Sequence, residues 1–190
     1  GHTVYGVKRT HQHTLIDQLI QKVIMDLEDQ DLPEIDFVVY CPSSDARDTE
    51  SYQKVYDHGA NHVLSILEQR SHLPRFIYVS STRVFEQSHG EWVDETADCA
   101  GKDPLARLIL AGEQRVLQSP LNHMVVRFSG LYGPNRHYLL DALHNENAKL
   151  CHSLKFSNRI HVLDAARVLY HMMRIKYCLL YTSPSPRDLR

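Results

Sequence analysis

Three consecutive hydroxyl side chains, Ser80, Ser81 and Thr82, follow directly on the apolar run Phe76-Ile77-Tyr78-Val79. Such a run of aromatic and β-branched residues predicts a strand buried on both faces of a parallel sheet. Ligands in open α/β sheets bind beyond the carboxyl ends of the strands, so these hydroxyls mark the edge where a small-molecule site is expected. Arg136 offers a planar fork suited to a phosphate or carboxylate, and equally to a surface ion pair. His58 and His62 stand at i, i+4, a spacing that can hold zinc, but no third ligand follows at a persuasive spacing and a helix face carrying ordinary histidines explains the pair better.

The elements that must position these groups alternate. Thr3 to Val7 predicts a short strand, His11 to Ile20 a helix through Leu15, Ile16, Leu19 and Ile20, and Val23 to Leu27 a second strand ending about Asp26. Asp36 to Tyr40 is a third strand, followed by Cys41 and Pro42. Thr49 to Gln69 predicts a long amphipathic helix that carries the chain back across the sheet in a right-handed crossover. Beyond the Phe76 strand come a helix over Leu105 to Leu117 and a strand over Met124 to Phe128. His137 to Lys149 predicts another helix, and a short strand from Arg159 runs into a final one that Asp164 can cap. This order of elements specifies an α/β fold with a parallel sheet and flanking helices.

Three segments in register, VSSTRVF with the following GEWVDET, VVRFSGLYGPNR (Val125 to Arg136) and NRIHVLDAA (Asn158 to Ala166), resemble the extended and atypical short-chain dehydrogenase/reductases, which include NAD(P)-dependent sugar epimerases and dehydratases. The resemblance covers roughly Gly1 to Lys176. It implies a Rossmann-type sheet that lacks its first strand and glycine-rich turn, because the chain begins one strand, turn and helix late. It implies a cofactor held by Lys8, Arg9, Asp26, Leu27, Cys41 and Ser80. Asp26 would meet the adenine amino group, and Arg9 favours the 2′-phosphate of NADP over NAD, the alternative being a solvated basic turn. Pro42 departs from the small, glycine-rich pattern expected where backbone lies against cofactor. Tyr132 and Arg136 fall where the family begins its substrate region, which implies a nucleotide-sugar-like ligand.

The resemblance also assigns the chemistry. A hydroxyl at the strand end, here Ser81, hydrogen-bonds the reacting group, while a Tyr and a Lys four residues later exchange the proton. The lysine is needed because a phenol with a reference pKa of about 10 must be brought toward neutrality. Those two positions are Leu105 and Ile109, and no tyrosine lies between Tyr78 and Tyr132. Whether the chain is an enzyme is thus left open. It could be a binding or regulatory module, an enzyme with a relocated acid/base among Asp94, Glu95, Tyr132 and His137, or an inactive fragment that no longer binds cofactor.

Composition sets the remaining bounds. The 190 residues are 43% hydrophobic, enough to bury a core, and the net charge of -2 without a basic stripe argues against nucleic acid as the main partner. No stretch reads as a membrane span or leader. Four scattered cysteines, Cys41, Cys99, Cys151 and Cys178, fit a reducing cytoplasm. The expected organisation is a Rossmann-like domain over residues 1–136, truncated at its start, and part of a substrate region over residues 137–177. The tail over residues 178–190 contains CLLYTSPSPRD, which resembles a translated sequencing adapter and is expected to lie outside the fold.

Overall fold

The computed structural model describes residues 2–9, 18–87, 91–99, 103–134, 136, 158–175 and 180–182. A parallel sheet of four strands forms its centre, in the order β3 (Phe37–Tyr40), β4 (Arg75–Ser81), β5 (His123–Phe128) and β8 (Leu180–Thr182). β4 is the middle of the core: Phe76, Ile77 and Tyr78 are wholly buried, as a strand covered on both faces requires. Two short pairs stand apart from it, β1 (Tyr5–Lys8) with β2 (Gln18–Gln21) and β6 (Gly130–Tyr132) with β7 (Arg159–His161), both parallel. Among the described residues no ladder joins β1 or β2 to β3.

Helices cover the two faces of the sheet. On one, α2 (Ala60–Leu67) and α3 (Pro104–Leu117) pack over Phe76, Tyr78 and Val125, with α1 (Thr49–Tyr52) set against α3 through Tyr52. On the other, α4 (Val162–Arg174) lays Ala165 and Met172 on Ile77, Met124, Val126 and Phe128. Asp48 starts α1 by accepting from the Ser51 amide at 2.8 Å, and Asp103 starts α3 by accepting from the Leu105 amide at 3.1 Å, with Pro104 in the first turn where its missing N–H costs nothing.

Several expectations are corrected. Leu19 and Ile20 lie in β2, not at the end of a helix; residues 10–17 are outside the described set, and four residues of QLIQ are too few for periodicity to separate strand from helix. Val23 to Leu27 is not a strand but carries a 3-10 turn over Ile24–Asp26, closed by the Leu27 amide donating to the Ile24 carbonyl at 3.3 Å. The helix α4 is capped by His161, whose ring accepts from the Leu163 amide at 3.3 Å, because the helix begins two residues before Asp164. Asp164 instead pairs with Arg167 at 2.8 Å. In the tail, Leu180–Thr182 is part of the sheet as β8, with Val125 opposite Leu180. The helix expected over residues 137–149 lies outside the described residues.

The expected long helix over Thr49 to Gln69 is present with a wider, π-helical segment at Gln53–Gly59 between α1 and α2. Two stacked tyrosines on adjacent strands, Tyr40 and Tyr78, 5.7 Å apart, donate into this segment. Tyr40 reaches the Val55 carbonyl at 2.6 Å and Tyr78 the Tyr56 carbonyl at 3.2 Å. Burial pushes both phenols well above their ordinary pKa, so they remain neutral donors. Close approach of α3 to the wide turn depends on Gly112, where a Cβ would stand 2.1 Å from the Tyr56 carbonyl oxygen and 2.4 Å from the Tyr78 hydroxyl. Gly112→Ala is therefore expected to destabilise the fold by about 1–3 kcal/mol despite the better helix propensity of Ala. A denaturation midpoint equal to or above that of the unsubstituted chain would show that the helices can separate freely.

Candidate functional site

Because β3, β4 and β5 run parallel, their carboxyl ends bring Cys41, Ser80 to Thr82 and Ser129 to one edge of the sheet. Alternation along β4 divides the hydroxyls between its two faces. Ser81 shares a face with Ile77 and Val79, and its hydroxyl oxygen accepts from the Arg83 amide at 3.2 Å, starting a 3-10 turn at Thr82–Val84. Ser80 points the other way, toward α3, and is only 5% exposed. Its hydroxyl donates to Glu113 Oε1 at 2.5 Å, so this side chain is committed to the core and only the backbone of Ser80 is left to meet a ligand.

Glu113 is the centre of a buried network. Arg127, on β5, donates to it twice, from Nε at 3.0 Å to Oε1 and from Nη2 at 2.7 Å to Oε2, while its guanidinium lies 5.1 Å from the centre of the Phe85 ring. Burial disfavours the cation, but the hydrogen bonds and charge of Glu113 outweigh it and Arg127 is held above its ordinary pKa. Sequence reading assigned neither residue a role. The signal lay in two charges of opposite sign at inward positions of otherwise apolar elements, VVRF and LILAGEQRVL.

The same helical face explains what happened to the expected proton-transfer pair. Leu105, Ile109 and Glu113 recur at i, i+4 and i+8 along α3, and all three are buried. Leu105 and Ile109 pack with Tyr52, Val84 and Phe85, so the two positions are filled with apolar side chains that are part of the core. Asp94 accepts from the Thr96 amide at 2.8 Å and the Thr96 hydroxyl at 2.6 Å, and these bonds hold its carboxyl below the usual range. It closes a turn. Glu95 is exposed, and His137 lies outside the described residues.

The remaining expected site residues are distributed. Arg9, just past β1, forms a two-pronged pair with Asp45 after β3, at 2.6 and 2.5 Å, which raises the Arg9 pKa and lowers that of Asp45. This contact links the β1–β2 pair to the main sheet's carboxyl edge. Lys8 ends β1 and is half-buried. Asp26 is exposed in the 3-10 turn, whereas the Leu27 side chain is 3% exposed in the core. Its carbonyl accepts a hydrogen bond from His62 Nε2 at 2.8 Å.

Cys41 and Arg136 come together. Cys41 reaches solvent, yet crowding around its sulfur pushes the thiol pKa up, with the Arg136 charge pulling it back. Tyr132 is 48% exposed and meets His161 edge-on at 5.1 Å. Gly133 beside it takes a φ of +136°, a region only glycine enters readily, and leaves room for the His161 ring. No group of three or more His, Cys, Asp or Glu converges on a metal position among the described residues, and none of their helices is long and apolar enough to cross a membrane.

No protein-family model and no curated protein sequence matches the chain. Solved structures do, and they share its fold. A structure from Methylobacillus flagellatus described as an NAD-dependent epimerase/dehydratase superposes with a TM-score of 0.72 at 24% identity, over 96% of this chain and 66% of that one. UDP-glucuronic acid 4-epimerase from Bacillus cereus, solved with UDP-glucuronic acid and NAD, gives 0.73 at 16% identity, over 87% of this chain and 59% of that one. The human epimerase family protein SDR39U1, solved with NADPH, gives 0.74 at 17% identity, over 97% and 67%. The chain thus has the α/β fold of the NAD-dependent epimerase/dehydratase structures and spans about 59–66% of the length of the first two.

Removing one partner of a buried ion pair costs more than removing its neutral neighbour. Glu113→Gln, which leaves Arg127 charged and half-paired, is expected to lower stability by about 3–5 kcal/mol, and Ser80→Ala by about 1 kcal/mol. Urea denaturation of both variants tests this ordering; equal losses would mean that the network is not organised around Glu113.

Proposed function

We propose that this chain is the dinucleotide-binding part of an atypical epimerase/dehydratase-like protein that holds NADP in preference to NAD, with a nucleotide-sugar-like ligand at the carboxyl edge of its sheet, and that does not use the Tyr/Lys proton-transfer pair. The observation that carries the second half is the burial of Leu105 and Ile109 in the apolar cluster with Tyr52 and Val84. Neither side chain can move a proton, Tyr52 is packed in the same cluster, and the buried Tyr40 and Tyr78 are neutral donors to backbone carbonyls. A binding or sensing role follows most directly, with Ser81 the residue left to orient a ligand's hydroxyl or carbonyl.

The cofactor half rests on the fold shared with dinucleotide-bound structures and on the cation next to β1. Arg9 is 57% exposed at its side chain and can turn toward a 2′-phosphate, but only by giving up Asp45. Asp45 is therefore a competitor for the group that would select NADP. Tyr132 and Arg136, on the segment after β5, supply an aromatic face and a cation for the sugar nucleotide.

Two measurements test the reading. Asp45→Asn is expected to tighten NADPH binding by about twofold to fivefold with little effect on NADH, and Arg9→Ala to weaken NADPH alone. Both can be followed by quenching of nicotinamide fluorescence. Neither cofactor stabilising the chain against heat would remove the binding function. Hydride exchange with a UDP-sugar that is lost in Ser81→Ala would restore an enzymatic reading.

A further inference from the structure

The turn that follows β4 is tied to the start of α3 by a chain of three bonds. Ser81 Oγ accepts from the Arg83 amide at 3.2 Å, and the turn closes where the Phe85 amide donates to the Thr82 carbonyl at 3.2 Å. The Arg83 guanidinium lies over the Tyr52 ring, 5.8 Å from its centre, and donates from Nε to Asp103 Oδ2 at 2.5 Å. The other carboxylate oxygen, Oδ1, accepts from the Leu105 amide at 3.1 Å and caps α3. Asp103 therefore divides its two oxygens between a helix and the residue that holds Ser81. Their hydrogen bond raises the Arg83 pKa and lowers that of Asp103, so the pair stays ionised. The two side chains are 36% and 37% exposed, where an ion pair adds little to stability. Its effect is on position.

A serine hydroxyl has one proton to donate and two lone pairs with which to accept. In Ser81 one lone pair is taken by the Arg83 amide, and the proton is committed to no group among the described residues. Accepting from an amide also polarises the hydroxyl and makes it a stronger donor. Ser80 cannot take this role, because its own proton is on Glu113. We propose that Asp103, acting through Arg83, is a positioning residue for Ser81, and that the hydroxyl so held donates to a ligand carbonyl in preference to the corresponding alcohol. A carbonyl offers two lone pairs and no proton, so it meets this donor without a second partner, whereas an alcohol brings a proton that needs one. The ligand half rests on the sugar-nucleotide reading of this edge; the positioning half rests only on the bonds that join Ser81, Arg83 and Asp103.

Asp103→Asn keeps an oxygen for the α3 cap but loses the charge that holds Arg83. Amide hydrogen exchange on the full chain, followed by NMR, is expected to show the Arg83 amide exchanging about tenfold faster in Asp103→Asn and in Ser81→Ala, with the melting temperature of Asp103→Asn within about 2 °C of the unsubstituted chain. In calorimetric titrations with NADP present, UDP-4-keto-6-deoxyglucose is expected to bind about fivefold more tightly than UDP-6-deoxyglucose, and Asp103→Asn to weaken the keto sugar about threefold. That loss is expected to vanish in the Ser81→Ala background. An Arg83 amide whose exchange does not change, or a loss that persists without the Ser81 hydroxyl, would overturn the positioning role. Equal or tighter binding of the alcohol would overturn the preference for a carbonyl. If neither sugar binds a chain whose Arg83 amide does respond, the sugar-nucleotide reading fails while the positioning of Ser81 is supported. Arg83→Gln gives the same readouts if Asp103→Asn does not fold.

Discussion

A carboxylate and a guanidinium buried together impose a constraint that the rest of this molecule has to satisfy. Glu113 comes from α3, Arg127 from β5, and Ser80, which shares the carboxylate, from β4. Charges of this kind are tolerated inside a protein only when each finds its partner, so the three elements can be assembled in few other arrangements. The consequence is felt at the sheet's carboxyl edge. Ser80 is drawn inward, Ser81 is turned to the opposite face, and Phe85 is laid against the cation. The layout of the candidate site is thus inherited from an interaction that faces away from it.

The same helix shows how packing can occupy positions where the family resemblance implies acid/base groups. Along one face of α3 the first two inward positions are apolar and the third is ionic. Apolar side chains at Leu105 and Ile109 give the core the contacts with Tyr52 and Val84 that a phenol and an ammonium could not give as cheaply in a dry setting. Packing there is favoured by the surroundings.

Most of the architecture was legible in the sequence, for reasons that differ between elements. Phe76 to Val79 could be read as a buried strand because a continuous apolar run with sharp polar boundaries has few other meanings. The α3 helix carries a start signal in Asp103-Pro104 that the expected range from Leu105 did not use. Leu19-Ile20 and Val23 to Leu27 were misread because so few apolar residues fit a strand, a helix or a turn equally well. The choice between them was made by backbone partners, Val4 and β1 in one case and a local turn in the other. At the site, Ser81 and Arg9 were visible as chemical types, whereas Asp45 was not. Its importance comes from lying 36 positions away from Arg9 in sequence and in contact with it in space, a fact that no local pattern carries.

The ladder between β5 and β8 consists of main-chain groups, and a main-chain ladder is indifferent to the side chains that carry it. Leu180–Thr182 therefore cover the β5 edge of the sheet among the described residues. Bare edges of hydrophobic sheets recruit strands from other molecules, and natural proteins spend residues to prevent it. Among the described residues β5 is thus an inner strand, and the edge of the sheet passes to the three residues of β8.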